Sequence, residues 1–302
     1  MNTAVRRTKF SKYLPFYLLA APGMIYFILF HYVPIWGIIL AFQDYSPYLG
    51  VFKSEWIGFE NFIHFFNLPD FKVLLNNTLI LSLCSIALYF PFTVLLSLLL
   101  NELRSVLFKR IVQSVFYLPH FVSWVIIAGI TLIFFGPSGV ITHSLEEMIG
   151  RTVPFMMSEA WFRPLIIFQS IWRDAGWGTI IFLAALAGIN PEIYEAGKMD
   201  GAGRLRSMWH ITLPGIKSTI IILLLIRLGH ALDSNFQQVF LMSNNLNIGV
   251  SDVFDLYVYR VGLQQGSFSF GVAVGLFKSI VSLVLVLGAN RLAKWFGEDG
   301  IF

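Results

Sequence analysis

Six long apolar stretches constrain the fold of this chain more than any other feature of its sequence. A helix that crosses the hydrocarbon core of a bilayer needs about 20 mostly apolar residues, because that core is about 30 Å thick. The stretches that meet this requirement run approximately over residues 16–42, 73–100, 111–135, 164–189, 216–242 and 268–290. The sequence therefore predicts an all-α membrane protein with six transmembrane helices. A cytoplasmic N-terminal segment, 1–15, is expected before a membrane domain, 16–302.

The composition excludes the other broad classes of protein. Hydrophobic residues make up 57% of the chain and charged residues only 13%, with a mean hydropathy of +0.73. Soluble domains carry about 25% charged residues, and disordered chains are poor in apolar residues. The single cysteine, Cys84, excludes a disulfide scaffold within the chain.

The distribution of lysine and arginine predicts the orientation in the membrane, because cytoplasmic connections carry an excess of these residues. With a cytoplasmic N-terminus, the inner segments carry 13 of them: Arg6, Arg7, Lys9, Lys12, Arg104, Lys109, Arg110, Lys198, Arg204, Arg206, Lys217, Arg291 and Lys294. The outer segments and their edges then carry 5: Lys53, Lys72, Arg151, Arg163 and Arg260. The opposite orientation would reverse this ratio, so both termini are expected on the cytoplasmic side.

The predicted cytoplasmic connection 190–214 has the sequence features of a structured element. Asn190 is a good helix N-cap and Pro191 suits the first helical position. Asp200-Gly201 then turns the chain, and a second short helix is expected over about 204–210, ending before Pro214. The resulting helix–turn–helix exposes apolar side chains that require a partner surface. They are Ile193, Tyr194, Met199, Leu205, Met208 and Trp209.

This connection resembles the EAA signature of ABC importer permeases, which is Glu-Ala-Ala, three residues, Gly, nine residues and Ile-x-Leu-Pro. The chain has Glu195-Ala196-Gly197, then Gly201, then Ile211-Thr212-Leu213-Pro214, with the spacing intact. Asp200-Gly201-Ala202 also fits. Gly197 departs from the pattern by replacing the second alanine, which lowers the helix propensity by roughly 1 kcal/mol.

Further segments along nearly the whole chain are similar to the carbohydrate-importer branch, the LplB-type polysaccharide permeases. They are Phe42-Gln43-Asp44-Tyr45, Ser54-Glu55-Trp56-Ile57-Gly58, Tyr117-Leu118-Pro119-His120-Phe121-Val122-Ser123-Trp124, Gly176-Trp177-Gly178-Thr179-Ile180-Ile181 and Gly275-Leu276-Phe277. The resemblance implies a type I importer fold in a prokaryotic cytoplasmic membrane. It also implies a second, homologous permease subunit, a dimer of ATPase subunits and an extracytoplasmic solute-binding protein that delivers an oligosaccharide.

The resemblance assigns the EAA connection to coupling with the ATPase. The residues it implicates are Glu195, Ala196, Gly197, Asp200, Gly201, Ala202, Met208, Trp209, Ile211, Leu213 and Pro214. The alternative is that Glu195 is only a solvated helix charge. The chain has no ATPase motif of its own, because its only Gly-Lys, Gly197-Lys198, is followed by Met199 rather than Ser or Thr. We therefore expect a non-catalytic subunit that binds no cofactor, with ATP and Mg²⁺ used by the partner ATPase.

Ionisable residues inside the predicted spans suggest a path for the cargo, because each costs roughly 2.5–3.5 kcal/mol to insert. Arg173, Arg227 and Lys278 lie on three spans at similar depth, which favours an anionic ligand such as an oligosaccharide containing uronic acids. The candidate residues are Arg173, Asp174, Trp177, Arg227, His230, Asp233, Gln237 and Lys278. The alternative is that Asp174 and Asp233 pair with two of the bases and serve the structure alone.

Two other functions compete with an importer subunit. A membrane enzyme acting on a lipid-linked sugar would need a constellation of carboxylates or histidines at an interface, and the sequence shows none. An ion-coupled secondary transporter of sugars or anions could use Arg173, Asp174, Arg227 and Asp233 as a relay, but it would not explain the cytoplasmic helix–turn–helix. The six histidines lack metal-binding spacing, so no metal site is expected. The basic residues follow the inner membrane face, so lipid and not nucleic acid is expected beside them.

Overall fold

A computed structural model describes the backbone of residues 2–295 and 297, and the side chains from Tyr13 onward. Parts of the predicted N-terminal segment 1–15, and residues 296 and 298–302 of the predicted membrane domain, lie outside the described residues. The chain divides into two compact units. One unit contains the chain up to Leu68 together with Arg260–Leu276, and the other contains Pro69–Tyr259 together with the chain from Phe277.

The first unit begins with a long helical segment that leads into a small β-hairpin. Its elements are α1 (Asn2–Phe27), a π-helical turn (Ile28–Tyr32), α2 (Val33–Ile35), a 3₁₀ helix (Trp36–Phe42), the antiparallel strands β1 (Gln43–Asp44) and β2 (Glu55–Trp56), and α3 (Glu60–Phe66). The π turn has a local cause in Pro34, which cannot donate a backbone hydrogen bond and crowds the preceding turn. The Val33 amide donates instead to the Ile28 carbonyl, five residues back.

The second unit is a helical bundle. Its helices are α4 (Phe71–Asn101), α5 (Val106–Tyr117), α6 (Trp124–Phe135), α7 (Val140–Ile149), α8 (Glu159–Ala187), α9 (Pro191–Met199), α10 (Arg204–Ser207), α11 (Leu213–Gly215), α12 (Lys217–Gly229), α13 (Phe236–Met242), α14 (Ile248–Ser251) and α15 (Phe254–Tyr257). Short 3₁₀ turns lie at Leu118–Phe121 and Phe155–Met157, and π turns at Met208–Thr212 and Val258–Gln264. The π turn Val258–Gln264 and the last described helix, α16 (Phe268–Trp295), each divide between the two units.

Helices α4 and α8 form the centre of this bundle, and glycines on α8 allow close packing. A Cβ atom at Gly178 would lie 2.8 Å from the Thr93 side chain of α4. A Cβ atom at Gly176 would lie 2.0 Å from the Phe116 carbonyl oxygen of α5. Small residues at such crossings let helix backbones approach each other within a membrane. The backbone of α8 is thereby fixed against two neighbours.

Four helical segments of the described residues are long and apolar enough to cross a membrane: Tyr13–Phe42, Phe71–Asn101, Trp124–Ile149 and Phe268–Trp295. The number rises to six if two bent pairs each count as one span. These are Glu159–Ala187 with Pro191–Met199, bent by 74°, and Arg204–Gly215 with Lys217–Gly229, bent by 60°. The fold is thus a mostly helical membrane protein, as the apolar stretches predict.

Two predicted spans differ in the structure because polar residues or prolines break them. The stretch 111–135 contains two helices, α5 and α6, separated by a 3₁₀ turn at Pro119, after which the Ser123 side chain caps α6. The stretch 216–242 was expected to be continuous, but α12 ends at Gly229 and α13 begins only at Phe236. The residues between them are mostly polar, and Asn235 caps α13 by accepting from the Gln238 amide.

Candidate functional site

The EAA segment, residues 190–215, starts where α8 ends and turns sharply. Helix α9 is bent by 74° relative to α8. The Asn190 side chain accepts a hydrogen bond from the Glu192 amide at 3.0 Å, and Pro191 occupies the first turn. The cap and the proline start a new helix here, as the sequence predicts. The Glu195 side chain on this helix is exposed.

A glycine turn joins α9 to the next helix. Gly201 has a φ of +75°, a left-handed conformation that costs glycine little and other residues more. The Gly201 amide donates to the Lys198 carbonyl at 3.0 Å, and the Ala202 amide donates to the Gly197 carbonyl at 2.9 Å. These bonds satisfy the carbonyls at the end of α9. The turn predicted at Asp200-Gly201 is therefore present.

The second helical part of the segment is longer than predicted. It was expected over about 204–210, but helical backbone continues through the π turn Met208–Thr212 and α11 to Gly215. The Leu213 amide donates to the Met208 carbonyl, five residues back. This wider turn accommodates Pro214, which has no amide hydrogen and would clash within a regular α-helix. The same arrangement occurs before Pro34, so the proline widens the helix instead of ending it.

Two side-chain contacts fix the two helical parts of the segment against each other. The Tyr194 hydroxyl donates to the Thr212 hydroxyl at 3.1 Å. The Ile211 side chain covers Gly197, where an added Cβ atom would lie 2.6 Å from the Ile211 Cδ1 atom. The residue that departs from the EAA pattern therefore makes room for an isoleucine of the same motif. The segment is a folded unit rather than a flexible loop.

The exposed side of the segment carries large apolar side chains. Met199 is 88% exposed, Leu205 71% and Trp209 60%. The prediction was wrong for Met208, which is buried and packs with Phe182, Leu186 and Ile216. Met208 lies at the start of the π turn, on the side of the helix that faces the bundle. Tyr194 is only half-exposed because its hydroxyl binds Thr212.

A cavity of about 130 Å³ lies within the second unit, between α4, α8, α12 and α13. The break between α12 and α13 contributes five of its lining residues: His230, Ala231, Asp233, Ser234 and Asn235. Non-helical backbone at membrane depth is tolerated where it is buried in protein or lines a polar cavity. The break in the fifth predicted span therefore forms a wall of the cavity.

The structure pairs two of the three predicted membrane cations with carboxylates. The Arg173 guanidinium donates to Asp174 at 2.9 Å and to the Val122 carbonyl at 3.1 Å. The Lys278 ammonium contacts Asp255 and lies 3.3 Å from Asp233. The alternative of internal pairing is confirmed for these two bases. Neither Arg173 nor Lys278 lines the cavity.

Arg227 is different from the other two cations. It lines the cavity, and its guanidinium carbon lies 4.6 Å from the centre of the Tyr89 ring. Within the part of the chain that the structure describes, no carboxylate forms an ion pair with it. A cation over an aromatic face is stabilised by the ring's electron density but keeps its charge. Arg227 is thus a cation of the cavity that has no carboxylate within ion-pair distance among the described residues.

The remaining predicted residues divide between the cavity and other places. Asp174, His230 and Asp233 line the cavity. His230 and Asp233 were expected on one face of a continuous helix, but they lie in the break and bond each other at 3.0 Å. Trp177 lies outside it and stacks on His120, with ring centres 4.5 Å apart. Gln237 is exposed and does not line it.

Of the two adjacent glutamines, sequence reasoning assigned only Gln237 to the substrate path, and it missed Asp255. Gln238, not Gln237, lines the cavity, and it donates to the Ile166 carbonyl and to the Gln169 side chain. Asp255 falls in a predicted outer connection, so it was not counted among the membrane charges. It accepts from the Ser234 amide and hydroxyl as well as from Lys278. An unpaired lysine within a predicted span was the one sequence feature that pointed to such a partner.

Comparison with known proteins identifies the family. Residues 77–298 match the family described as "Binding-protein-dependent transport system inner membrane component". The chain belongs to this family. As a member, it is a multi-pass inner membrane protein and a permease subunit rather than an enzyme.

Individual relatives of this permease subunit are similar over almost their full lengths. Protein LplB of Bacillus subtilis (strain 168) is 53% identical over 95% of this chain and 90% of its own length. The polygalacturonan/rhamnogalacturonan transport system permease protein YteP of the same organism is 53% identical over 97% of this chain and 91% of its own. Among solved structures, a chain of a bacterial alginate ABC transporter, in complex with an alginate pentasaccharide-bound periplasmic protein, superposes with a TM-score of 0.88. It is 37% identical, over 97% of this chain and 99% of that one.

Proposed function

We propose that this chain is a membrane-spanning permease subunit of an ATP-driven importer for oligosaccharides, including ones that contain uronic acids. An extracytoplasmic binding protein delivers the cargo. A second homologous permease completes the path, and a dimer of ATPase subunits hydrolyses ATP with Mg²⁺ on the cytoplasmic side. Both termini lie in the cytoplasm in this arrangement.

The observation that carries the proposal is the folded EAA segment with its exposed apolar side. Side chains as large and exposed as Met199, Leu205 and Trp209 are anchors typical of protein interfaces. The segment is bent by 74° from α8, and Met208 packs it against the bundle. A rigid unit that is joined directly to a membrane helix can transmit a movement of the docked ATPase to the cavity wall. Glu195 adds an exposed carboxylate for a basic partner.

The cargo class is supported by the relatives and by the cavity. YteP is named for polygalacturonan and rhamnogalacturonan, and the solved neighbour transports alginate. All three polymers contain uronic acids, whose carboxylates are charged at neutral pH. A polar cavity beside a broken span is a suitable place for such a sugar inside a membrane.

The test is co-purification of the ATPase with the permease pair. We expect Leu205→Glu or Trp209→Ala to reduce the ATPase recovered with the complex at least tenfold, because interface anchors of this kind contribute about 2 kcal/mol or more. Met148→Glu is the matched control, since Met148 is 81% exposed but lies on α7, outside the EAA segment. The proposal fails if the wild-type complex contains no ATPase. It also fails if uptake survives ATP depletion and collapses with an ion gradient, as an ion-coupled secondary transporter would require.

A further inference from the structure

We infer that Arg227 is the specificity-determining residue that binds a carboxylate of an acidic sugar in the membrane cavity. The inference rests on the proposed transport function and names the part of the cargo that this chain recognises.

The first argument is that Arg227 is the single arginine or lysine among the described residues that line the cavity. The sequence offers three membrane cations as equal candidates. Arg173 is held by Asp174 and by the Val122 carbonyl, and it lies over the Trp124 ring at 4.5 Å. Lys278 is enclosed by Asp255 and Asp233 and is only 9% exposed. Both therefore stabilise the structure, and neither is available to a ligand.

The second argument is that the two carboxylates lining the cavity already have partners of their own. Asp174 accepts from Arg173 and lies 2.9 Å from the His120 ring nitrogen. Asp233 lies 3.3 Å from Lys278 and 3.0 Å from His230. Arg173 pairs with Asp174, and Lys278 is shared by Asp233 and Asp255, so both cavity carboxylates repel an incoming anion less than free carboxylates would. The positive charge of Arg227 remains for the ligand.

The third argument concerns how Arg227 is held. Its guanidinium lies over the Tyr89 ring, and the Tyr89 hydroxyl donates to the Asp174 backbone carbonyl at 3.1 Å. The ring is thereby fixed to α8, and it supports one face of the guanidinium while the edges stay free. Those edges carry the donors that bind a carboxylate in a bidentate fashion. Arginine suits this purpose better than lysine for the same reason.

The size and polarity of the cavity fit a single sugar unit. Its volume of about 130 Å³ has room for on the order of ten water molecules. Ser82, Ser85 and Asn235 also line it and offer hydroxyl and amide groups. Ser170, Ser234 and Gln238 line it as well, but their side chains already bond within the protein. Sugar hydroxyls require such donors and acceptors, while the carboxylate requires the cation. The cavity accordingly combines one charge contact with several neutral hydrogen-bonding groups.

The experiment compares uptake and ATP hydrolysis by the complete complex in proteoliposomes, with binding protein loaded with radiolabelled trigalacturonate. We expect Arg227→Gln to lower uptake about tenfold or more, because it removes the charged donors that would bind the carboxylate. Arg227→Lys should lower uptake less, since it keeps the charge but loses the fork of donors. ATP hydrolysis should stay within about twofold of wild type in both variants. Arg151→Gln, which removes an exposed cation outside the cavity, is the matched control and should transport normally.

Three outcomes would overturn the inference. Arg227→Gln could transport trigalacturonate at the wild-type rate. Both Arg227 variants could lose the ATPase along with uptake, which would give Arg227 a structural role. The wild-type complex could carry a neutral oligosaccharide but no trigalacturonate, which would leave the importer function standing. Failure of the proposed function itself is distinguishable, because the wild-type complex would then contain no ATPase at all.

Discussion

The EAA segment and the membrane cavity differ in the distance along the chain between the residues that hold them together. In the EAA segment, the side-chain hydrogen bond that spans the most residues joins Tyr194 to Thr212. The helix cap at Asn190 and the turn at Gly201 involve only neighbouring residues. At the cavity, Lys278 joins Asp233 and Asp255, and Tyr89 supports Arg227. The first region makes its side-chain hydrogen bonds within itself and is anchored to the bundle through Met208, whereas the second depends on the packing of the whole bundle. Substitutions at the cavity should therefore have the larger effects on stability.

The largest effect is expected from Lys278→Met. Removing the lysine leaves Asp233 and Asp255 as neighbouring carboxylates without their shared cation. Breaking a buried ion pair in this way costs on the order of 3–5 kcal/mol. The half-life of the detergent-purified complex at elevated temperature should fall sharply. Lys278→Met combined with Asp255→Leu should recover much of the lost half-life. An unchanged half-life of Lys278→Met alone would show that the ion pair between Lys278 and Asp255 does not stabilise the complex.

A smaller but clear loss is expected from Gly176→Ala. The new methyl group would lie 2.0 Å from the Phe116 carbonyl oxygen, so the backbones of α5 and α8 must separate. Overpacking of this kind typically costs about 1–3 kcal/mol. Thermal unfolding of the complex measures it. Gly275→Ala is the matched control, because a Cβ atom there meets nothing within 4 Å, and equal losses in the two variants would contradict the packing argument.

Tyr194→Phe should have a modest effect that is confined to coupling. It removes the hydroxyl that binds Thr212, a bond expected to contribute about 0.5–1.5 kcal/mol. The two parts of the EAA segment would then move more independently, so more ATP should be hydrolysed for each sugar transported. Uptake and ATP hydrolysis measured in the same proteoliposomes give this ratio. A drop in overall stability as large as that of Gly176→Ala would show that the effect of this bond is not confined to the segment.

The smallest effect is expected from Gly197→Ala, which restores the alanine of the EAA pattern. Alanine gains roughly 1 kcal/mol in helix propensity, but its Cβ atom would lie 2.6 Å from the end of the flexible Ile211 side chain. The gain in helix propensity and the cost of this close contact oppose each other, so the midpoint of thermal unfolding of the complex should hardly change. Gly197→Ala with Ile211→Val should be more stable than either single variant. Strict additivity of the two substitutions would argue against the contact.

The contrast between local contacts in the EAA segment and distant contacts at the cavity explains which features the sequence could predict. The helix–turn–helix follows from Asn190, Pro191 and Gly201, whose effects act within a few residues, and these features are present. The π turn was not predicted, because Pro214 was expected to end the helix. A proline removes one donor, but whether the helix ends or widens depends on the surroundings, and here Met208 and Ile216 pack on both sides of the turn.

The cavity could be predicted only in part. The cost of burying charge in a membrane identified Arg173, Arg227 and Lys278, but the sequence could not say which would be neutralised. That depends on Asp255, which approaches Lys278 only in the folded bundle. The prediction of Gln237 rather than Gln238 has a similar cause. Because α13 begins only at Phe236, after the break, its residues face different directions from those of a continuous helix. Long-range packing, rather than local preference, decided these points.

The most direct test of the account measures sugar uptake and ATP hydrolysis side by side for Leu205→Glu and Arg227→Gln in the complete complex. The account predicts that the two variants lose different activities. Leu205→Glu should lose most of the ATPase, and with it both activities, whereas Arg227→Gln should hydrolyse ATP within about twofold of wild type and take up trigalacturonate at about a tenth of the wild-type rate or less. If Leu205→Glu retains the ATPase and full uptake, the EAA segment is not the docking site, and the central claim is contradicted.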